Sequence, residues 1–425
     1  MKVSEVPQDL KYLKGHIVRD QDYAVDSNGK YQMVMSDGWE AKNDALELAL
    51  KEDKDKEERS RMEVKKPVDF HGFELDLSHQ AAAHCENGSI SALLRYEGIA
   101  LSEPMIFGLA SGLYFAHLPF VKLGGYPVTA FRSFPGVLFQ RITKQLNIKT
   151  DTRRFLNKGH AMQELDRVLM EEKRPVGCVV GMYDLPYMPP EYRFHFNGHN
   201  ICIIGKDEEK GLYSVLDSNA TQKVTISSDD LRKVRFAKNG AYPLFGLMYW
   251  IREVPQQLPD LRPMVLQSIR KTCYCMIHQS HFVPWVGMNG IFYLAENIRH
   301  WEEKMGRRKA MLHLAQVIRM SEEIGTGGAG FRFIYAAFLQ EAAEKTGLDV
   351  LNDYSDRITA IGDQWRLFAY KGSRFFKNRG KEPCSYEDLG ILLKSIGDQE
   401  LAFYKDLEKA VDEYLFPTPH SNREI

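Results

Sequence analysis

The chain has 425 residues, of which 27% are charged and 44% hydrophobic. This balance is typical of a globular protein, and the length indicates two or three domains rather than one core. The formal net charge of −1 gives no overall field that would attract nucleic acid or anionic lipid, so neither is expected as a partner.

The N-terminal residues and the cysteines predict a cytoplasmic protein. The first residues contain no apolar stretch typical of a secretory signal. The longest uncharged stretch, Pro104–Val121, contains polar residues, glycines and two prolines, whereas a membrane helix needs about 20 mostly apolar residues. No membrane span is therefore expected. Six cysteines in a chain of this length do not indicate a disulfide framework.

Residues 1–65 are predicted to form a small ββα module. Two short runs, His16–Tyr23 and Tyr31–Met35, flank the turn signal Asp26–Gly29. A highly charged helix is expected from Lys42 to about Val64, and such a run is usually solvated. The module shows no recognisable chemistry and could contact a partner protein or a second subunit, so a homo-oligomer remains open.

Residues 66–254 are predicted to form a mixed domain of helices and strands. Ile90, Leu93 and Leu94 have helical spacing that ends at Gly98, and a second helical face lies within Met162–Leu169. Strands are expected at Val176–Met182, Asn200–Gly205 and Leu212–Asp217, the last two joined by the turn Lys206–Gly211.

Residues 255–425 are predicted to form an α-helical domain that begins near Pro255–Pro263. Their pattern is long, amphipathic and almost without strand signals. The expected helices are Ile291–Met305, Lys309–Ile324, Phe331–Lys345, Tyr354–Tyr370 and Asp398–Tyr414. The predicted fold class is α+β.

Cys85 is the first candidate catalytic residue. It immediately precedes the predicted helix that contains Ile90. The unpaired N–H groups and partial positive charge of a helix N-terminus favour thiolate over thiol and can stabilise a substrate oxyanion. A free cysteine taken alone is more often buried and inert, so this interpretation requires a base nearby.

His199 and Asp217 provide a candidate base and its orienting carboxylate. In a hairpin centred near residue 208 the two residues are directly opposite and share a face, with Cβ atoms about 5 Å apart. Asp217 can then accept the Nδ1–H of His199, which leaves the other nitrogen for Cys85. A register slip of one residue would separate the pair. His195 is a competing base, and a surface histidine beside a turn aspartate is the alternative.

The order Cys, His, Asp along the chain is that of papain-like enzymes. A helix that carries the cysteine, followed by strands that carry the histidine and aspartate, is also their layout. The agreement of these features favours catalysis over an inert Cys85.

Further motifs resemble the butirosin biosynthesis protein H family. The segment His84–Phe120 contains a helix led by Cys85, the pair Ser102-Glu103 and the run Phe107–Leu113, as that family does. Gly198-His199 and the strand Pro175–Met182, followed by Tyr183–Tyr187, are similar to the family as well. The segment Gly325–Tyr335 resembles a motif of the helical domain that usually follows, so the resemblance covers about residues 75–415.

The resemblance implies a papain-like (cysteine-peptidase-like) fold and a cysteine acyltransferase of specialised metabolite or lipid biosynthesis. Cys85 would take an acyl group from an acyl carrier protein thioester and pass it to an amine or hydroxyl of a small-molecule acceptor. No cofactor is expected. Gln80 is the nearest candidate for the glutamine that papain-like enzymes use as an oxyanion donor. A cysteine amidase or hydrolase and a non-catalytic scaffold of the same fold are the alternatives.

The glycine-rich segment Gly325–Gly330 has the spacing of a dinucleotide-binding loop. It follows a predicted helix rather than a strand, which excludes a Rossmann site. Because it precedes another helix, the hypothesis is that Gly327, Gly328 and Arg332 bind the phosphopantetheine or another polar part of the substrate. A tight interhelical turn that requires glycine is an equally good interpretation.

Four other residues are candidates for substrate binding. Glu103 and Arg132 lie in apolar or aromatic surroundings and would need partners if buried. They could pair with each other, which we favour, or Arg132 could bind a substrate carboxylate. Asp184 and Tyr187 follow the predicted strand Val176–Met182 and could line the cleft, or they could belong to an ordinary aromatic loop.

A metal site is not expected. Cys273, Cys275, His278 and His281 are possible ligands, but their C-x-C and H-x-x-H spacings differ from those of structural zinc sites. A helix with a partly apolar face is the better interpretation.

Overall fold

The computed structural model describes the backbone of three short strands between residues 21 and 42, and residues 70–416 except 124, 189–195, 239–242, 280–282 and 377–383. The three N-terminal strands are β1 (Gln21–Val25), β2 (Tyr31–Met35) and β3 (Glu40–Lys42). β1 and β2 pair antiparallel across the predicted turn, and β3, which was not predicted, pairs with β2. The helix expected from Lys42 to about Val64 lies outside the described residues.

The remaining described strands form one large sheet and one ribbon. They are β4 (Phe73–Glu74), β5 (Leu113–Leu123), β6 (Tyr126–Arg132), β7 (Lys149–Arg153), β8 (Val176–Gly181), β9 (Asn197–Asp207), β10 (Leu212–Leu216), β11 (Val224–Ser227) and β12 (Met248–Glu253). The antiparallel sheet has the order β11-β10-β9-β8-β12-β7, with β4 paired to β9. β5 and β6 form a separate two-stranded ribbon.

The described α-helices before Pro255 are short, and the longest ones follow it. They are α1 (Cys85–Tyr96), α2 (Glu103–Leu109), α3 (Val137–Gln145), α4 (Lys158–Asp166), α5 (Ser228–Arg235), α6 (Leu261–Ile277), α7 (Gly287–Ile298), α8 (Trp301–Met305), α9 (Arg307–Glu322), α10 (Arg332–Thr346), α11 (Val350–Phe376) and α12 (Tyr386–Leu415). The α+β class is confirmed, with the strands antiparallel and the long helices concentrated in the C-terminal part.

The centre of the large sheet is buried on account of the helices that cover it. β8 is buried along its whole length, and α1 and α5 both pack against it. The strand therefore has a continuous apolar run rather than an alternating one. Helix α1 also contacts β9 and β12, so its first residue, Cys85, lies beside the middle of the sheet.

The helical part follows the predicted pattern with two main differences. The helix expected over Asp398–Tyr414 begins earlier, because α12 runs from Tyr386 to Leu415. The single helix expected over Ile291–Met305 is two helices, because α7 ends at Ile298 and α8 begins at Trp301. Helix α10 packs against α2, which brings the C-terminal helices next to the segment that holds Cys85. No helix in the described part of the chain is long and apolar enough to cross a membrane.

The stretch Pro104–Val121 is divided between two elements. Its beginning belongs to α2, where the Ser102 hydroxyl caps the helix by accepting from the Met105 amide at 3.2 Å. Its end belongs to β5, which pairs with β6. The apolar character of the stretch reflects burial of both elements, since Phe107, Leu109 and Phe115 are fully buried.

Candidate active site

Cys85 is the first residue of α1. The preceding residue, His84, has an extended backbone (φ −114°, ψ 123°) and its side chain does not cap the amides of the first turn. Cys85 is half-buried, and its Sγ lies 3.9 Å from the carbonyl oxygen of Gly198 on β9. The predicted helix start is thus in place.

His199 lies next to Cys85 and is almost fully buried, with 2% of its surface exposed. Its chain neighbour Gly198 is the residue whose carbonyl oxygen contacts the Cys85 sulfur. The Nε2 of His199 is 2.7 Å from Oδ2 of Asp217, so the nitrogen left for Cys85 is Nδ1. The predicted assignment of the two nitrogens was therefore wrong, although the predicted contact between histidine and aspartate is present.

The register of the hairpin also differs from the prediction. Leu216 pairs with Cys202, so the observed register brings Asp217 opposite Ile201. The predicted register had it opposite His199, two residues away along β9. The register shifts at a bulge, where Ile204 is the extra residue of β9. Without this residue Asp217 would lie opposite Cys202 and face the other side of the sheet. The bulge places Asp217 on the same face as His199.

Several groups hold the Asp217 carboxylate in place. The Tyr187 hydroxyl donates to Oδ2 at 3.0 Å, and the Asn219 amide donates to Oδ1 at 2.9 Å. The backbone carbonyl of Asp217 is 2.9 Å from Nε2 of His79. Asp217 is fully buried, so these contacts replace the water that a carboxylate would otherwise require.

The electrostatics favour a thiolate–imidazolium pair. Burial raises the pKa of the Cys85 thiol, but attraction and a hydrogen bond from His199 act against it, assisted by the Asn200 amide and by Arg132, and the resulting pKa lies below the ordinary 9.0. Burial lowers the pKa of His199, yet Asp217 and Cys85 together raise it to about 10. Cys85 can therefore act as a nucleophile and His199 as the group that carries its proton.

Arg132 pairs with Glu86, the residue after Cys85. Its Nη1 donates to Glu86 Oε2 at 2.8 Å and to the Ser133 carbonyl at 3.1 Å. The other Glu86 oxygen accepts from the Gly136 amide at 2.9 Å. The expected pairing of Arg132 with Glu103 is wrong, because Arg132 contacts Glu86 instead. Spacing along the sequence does not show which carboxylate the fold brings close to an arginine. Glu86 was missed, although its place in the first turn beside Cys85 was a usable signal.

Glu103 instead fixes the turn that leads into Cys85. Its two oxygens accept hydrogen bonds from the backbone amides of Ala83, at 2.9 Å, and His84, at 2.8 Å. The Glu103 carboxylate, a candidate for substrate binding, is thus hydrogen-bonded to the protein backbone. Its position at the start of α2 anchors α1 and α2 to each other.

The loop residues after β8 separate into two groups. Tyr187 joins the site through Asp217, as described above. Asp184 does not, because it forms an ion pair with Lys233 of α5 at 2.8 Å. Gln80 is exposed on the segment before α1. His195, the competing base, lies outside the described residues.

The glycine-rich segment Gly325–Gly330 packs directly against the turn before Cys85. A Cβ placed on Gly325 would lie 3.1 Å from the Ala83 carbonyl oxygen and 3.6 Å from the His84 ring. Gly327 and Gly328 both have left-handed φ, of 67° and 92°, which glycine adopts readily. The close approach and the backbone conformation together account for the glycines, in agreement with the interhelical-turn interpretation.

Arg332 has a structural contact in place of the predicted role as anion ligand. Its guanidinium is fully buried and pairs with Glu400 through Nε and Nη2, each at 3.0 Å. Nη1 donates to the Gly330 carbonyl at 2.9 Å, and the group lies over the Trp365 ring. The sequence placed Arg332 correctly beside the loop but could not show that a helix nearly 70 residues later supplies its carboxylate.

No cluster of three or more metal-ligating side chains occurs in the described residues. Cys273 and Cys275 lie on α6, as the helical interpretation predicted, and His278 follows it and contacts Glu408 at 2.9 Å. His281 is outside the described residues.

Comparison with known proteins places the site within a family. The family described as butirosin biosynthesis protein H, N-terminal, matches residues 84–218, a range that contains Cys85, His199 and Asp217. A domain of unknown function (DUF4872) matches residues 229–407, which include β12 of the sheet as well as the long helices. No curated protein matches the chain. The two matches occur in the expected order, and the chain belongs to a butirosin biosynthesis protein H-like family in which that N-terminal domain is followed by the C-terminal domain.

Proposed function

We propose that the protein is a cysteine acyltransferase in which Cys85 carries the acyl group. The observation behind this proposal is that Cys85 begins a helix and contacts Gly198, the residue before His199, and that His199 Nε2 is 2.7 Å from the Asp217 carboxylate. An ion-paired thiolate at a helix N-terminus attacks carbonyl carbon readily, and the adjacent amides stabilise the oxyanion. The resemblance of residues 84–218 to butirosin biosynthesis protein H supports acyl transfer as the reaction class.

In the first step, the Cys85 thiolate attacks the carbonyl carbon of a thioester. The bond from carbon to Sγ forms, the bond to the donor sulfur breaks, and His199 gives its Nδ1 proton to the departing thiolate. In the second step, an acceptor amine or hydroxyl attacks the acyl-enzyme and transfers a proton to His199. The bond to Sγ breaks, which regenerates the thiolate–imidazolium pair.

A papain-like fold is part of this proposal. Helix α1 carries Cys85 and packs against the antiparallel sheet, whose strand β9 carries His199 and whose strand β10 leads to Asp217. Asp217 takes the place of the group that orients the histidine in such enzymes. We place the catalytic domain at residues 66–254 and the helical domain at residues 255–425.

The donor in this proposal is an acyl carrier protein thioester, and the acceptor is a small molecule. Thioester exchange with a cysteine conserves the energy of the bond, since one thioester replaces another, and the more stable amide or ester forms only in the second step. We assign no cofactor to either step, because the thiolate, His199 and the helix amides provide the nucleophile, the proton carrier and the oxyanion donors.

The test is a mass measurement on the intact protein. Incubation with a panel of acyl carrier protein thioesters should add the acyl mass to the wild type and not to Cys85→Ala, with Cys275→Ala as a control for another half-buried thiol. Release of the acyl group to added amines or alcohols supports transfer. Release only to water would instead identify a hydrolase, and equal labelling of Cys85→Ala and wild type would exclude Cys85 as the nucleophile.

A further inference from the structure

The segment Gly325–Phe331 of the helical domain has an unusual backbone. Six of its seven residues have left-handed φ values, between 51° and 92°, namely Gly325, Gly327, Gly328, Ala329, Gly330 and Phe331. Glycine adopts such values readily, but alanine and a bulky aromatic residue do so only at a cost in free energy. Strain of this kind persists where the surrounding structure holds it, and it clusters at functional sites. The contacts of Phe331 therefore require an explanation.

The Phe331 ring lies between helix α2 and the residue before Cys85. It stacks on Phe107 of α2 with ring centroids 4.9 Å apart, and it meets the His84 ring edge to face at 5.2 Å. Only 3% of Phe331 is exposed. The strained backbone thus places a side chain of the helical domain against the start of the helix that carries Cys85.

The turn before Cys85 is held by two separate parts of the chain. Glu103 of α2 accepts hydrogen bonds from the backbone amides of Ala83 and His84, at 2.9 and 2.8 Å. Gly325 approaches the same turn so closely that an added Cβ would lie 3.1 Å from the Ala83 carbonyl oxygen and 3.6 Å from the His84 Cα. Together these contacts fix the point at which α1 begins.

Hydrogen bonds hold the segment itself in place. The Thr326 hydroxyl accepts from the Gly328 amide at 3.0 Å. The carboxylate of Glu322, the last residue of α9, accepts from the Ala329 amide at 3.1 Å. A segment tied to a long helix in this way resists displacement, so it presents a fixed surface to the turn before Cys85.

We propose that Gly325 and Phe331 are positioning residues for Cys85, through which the helical domain completes the active site. The inference rests on the proposed role of Cys85 as a nucleophile and gives the domain of unknown function a part in that role. Cys85 directly follows the held turn, and its Sγ lies 3.9 Å from the carbonyl oxygen of Gly198, the residue before His199. A small shift of the turn therefore changes the position of the sulfur relative to His199.

The experiment is the pH dependence of Cys85 alkylation by iodoacetamide, followed by the mass of the Cys85 peptide. Gly325→Ala adds a Cβ at 3.1 Å from the Ala83 carbonyl oxygen, which the turn relieves by moving. With Cys85 displaced from His199, the midpoint of the profile should rise by about half a unit to one unit. This equals roughly 3- to 10-fold slower alkylation below both midpoints. The midpoint reports the ionisation of the thiol and does not depend on access of the reagent.

Gly347→Ala is the matched control. Gly347 has nearly the same left-handed conformation, with φ 67° against 61° for Gly325, but an added Cβ there meets no atom of the described residues within 4 Å. Gly347→Ala should lose similar stability and keep the wild-type midpoint. Neither substitution changes an ionisable group, so a shifted midpoint reports a changed position of Cys85. A wild-type midpoint in Gly325→Ala, or an equal rise in Gly347→Ala, would overturn the proposal.

Phe331→Leu tests the same inference if Gly325→Ala does not fold. It removes the ring that contacts His84 and should raise the midpoint, whereas Phe403→Leu removes another fully buried ring of the helical domain and should not. Equal midpoints in these two variants would count against the proposal. Failure of the proposed function gives a different result, namely a wild-type Cys85 with the pH profile of an ordinary thiol.

Discussion

Tyr187 and His199 bind the same oxygen of Asp217, at 3.0 and 2.7 Å. Burial and the nearby Asp217 charge raise the pKa of Tyr187 well above 10, so its hydroxyl stays protonated and donates. The shared oxygen fixes the carboxylate between the two side chains. Tyr187 therefore helps Asp217 to orient His199 without contacting Cys85.

Tyr187→Phe tests this relationship. It removes one hydrogen bond to a buried carboxylate, which should lower the free energy of unfolding by about 1.5–3 kcal/mol and also reduce the rate of acyl transfer. Urea denaturation and a transfer assay measure the two effects. Tyr213→Phe is the control, since it removes a similar bond to Asp166, at 2.7 Å, outside the site. Wild-type transfer in Tyr187→Phe would show that the hydrogen bond has no positioning role.

Asp217→Asn should raise the pH at which Cys85 becomes reactive. Asp217 and Cys85 raise the pKa of His199 to about 10 against the effect of burial. Loss of the carboxylate charge lowers the pKa of His199, and with less imidazolium present the pKa of Cys85 rises. Alkylation rates measured between pH 5 and 10 give the profile directly. A profile identical to that of the wild type would separate Asp217 from the ionisation of the pair.

The ionisation of His199 also makes the free energy of unfolding depend on pH. The pKa of His199 is higher in the folded chain than its ordinary 6.5, so its contribution is complete below about 6.5 and decreases as the pH rises toward 10. The lowered pKa of Cys85 acts in the opposite sense, because its stabilisation increases as the pH rises toward 9. With the thiol removed, we expect the difference in unfolding free energy between Cys85→Ala and the double variant Cys85→Ala, Asp217→Asn to shrink as the pH rises above about 6.5. Urea denaturation at several pH values between 6 and 10 measures it, and a constant difference would contradict the assignment.

Local patterns in the sequence predicted part of the elements, because helices and strands follow short-range periodicity, whereas the ribbon β5–β6 and the strands β7, β11 and β12 were not predicted. The start of α1 at Cys85 and the strands β8 and β10 could be located in this way. The bulge at Ile204 could not, because an extra residue in a continuous apolar strand leaves the pattern unchanged. The contact of His199 with Asp217 was nevertheless anticipated, since the difference between predicted and observed register is two residues and retains the face.

Partners of the buried charges were harder to predict than the elements. Arg132, Glu103 and Arg332 were recognised as residues that need partners, but their contacts join segments far apart in the chain. Sequence spacing does not determine which buried carboxylate meets which guanidinium. The contacts of Arg132 and Glu103 stabilise the segments next to Cys85, and the contact of Arg332 joins two long helices. None of these side chains is therefore placed to bind substrate as predicted.

The Arg132–Glu86 pair should matter chiefly for folding. Arg132→Gln leaves the fully buried Glu86 carboxylate without its cation, and breaking such a pair costs about 3–5 kcal/mol. The double variant Glu86→Gln, Arg132→Gln removes both charges and should recover part of this loss. Urea denaturation of the wild type, the single variants Arg132→Gln and Glu86→Gln, and the double variant gives the coupling energy. Independent, additive effects would show that the two side chains do not interact.

Arg332→Met should destabilise the C-terminal helices without weakening substrate binding. The fully buried Glu400 then lacks its cation, and the expected loss is again about 3–5 kcal/mol. Replacing both residues by Met should be closer to neutral, since an apolar pair of similar volume needs no compensating charge. Kinetic measurement on the folded fraction separates the two roles of Arg332, because an anion ligand would raise KM for the thioester donor. An unchanged KM with reduced stability identifies a structural residue, whereas a raised KM with unchanged stability would restore the anion-binding hypothesis.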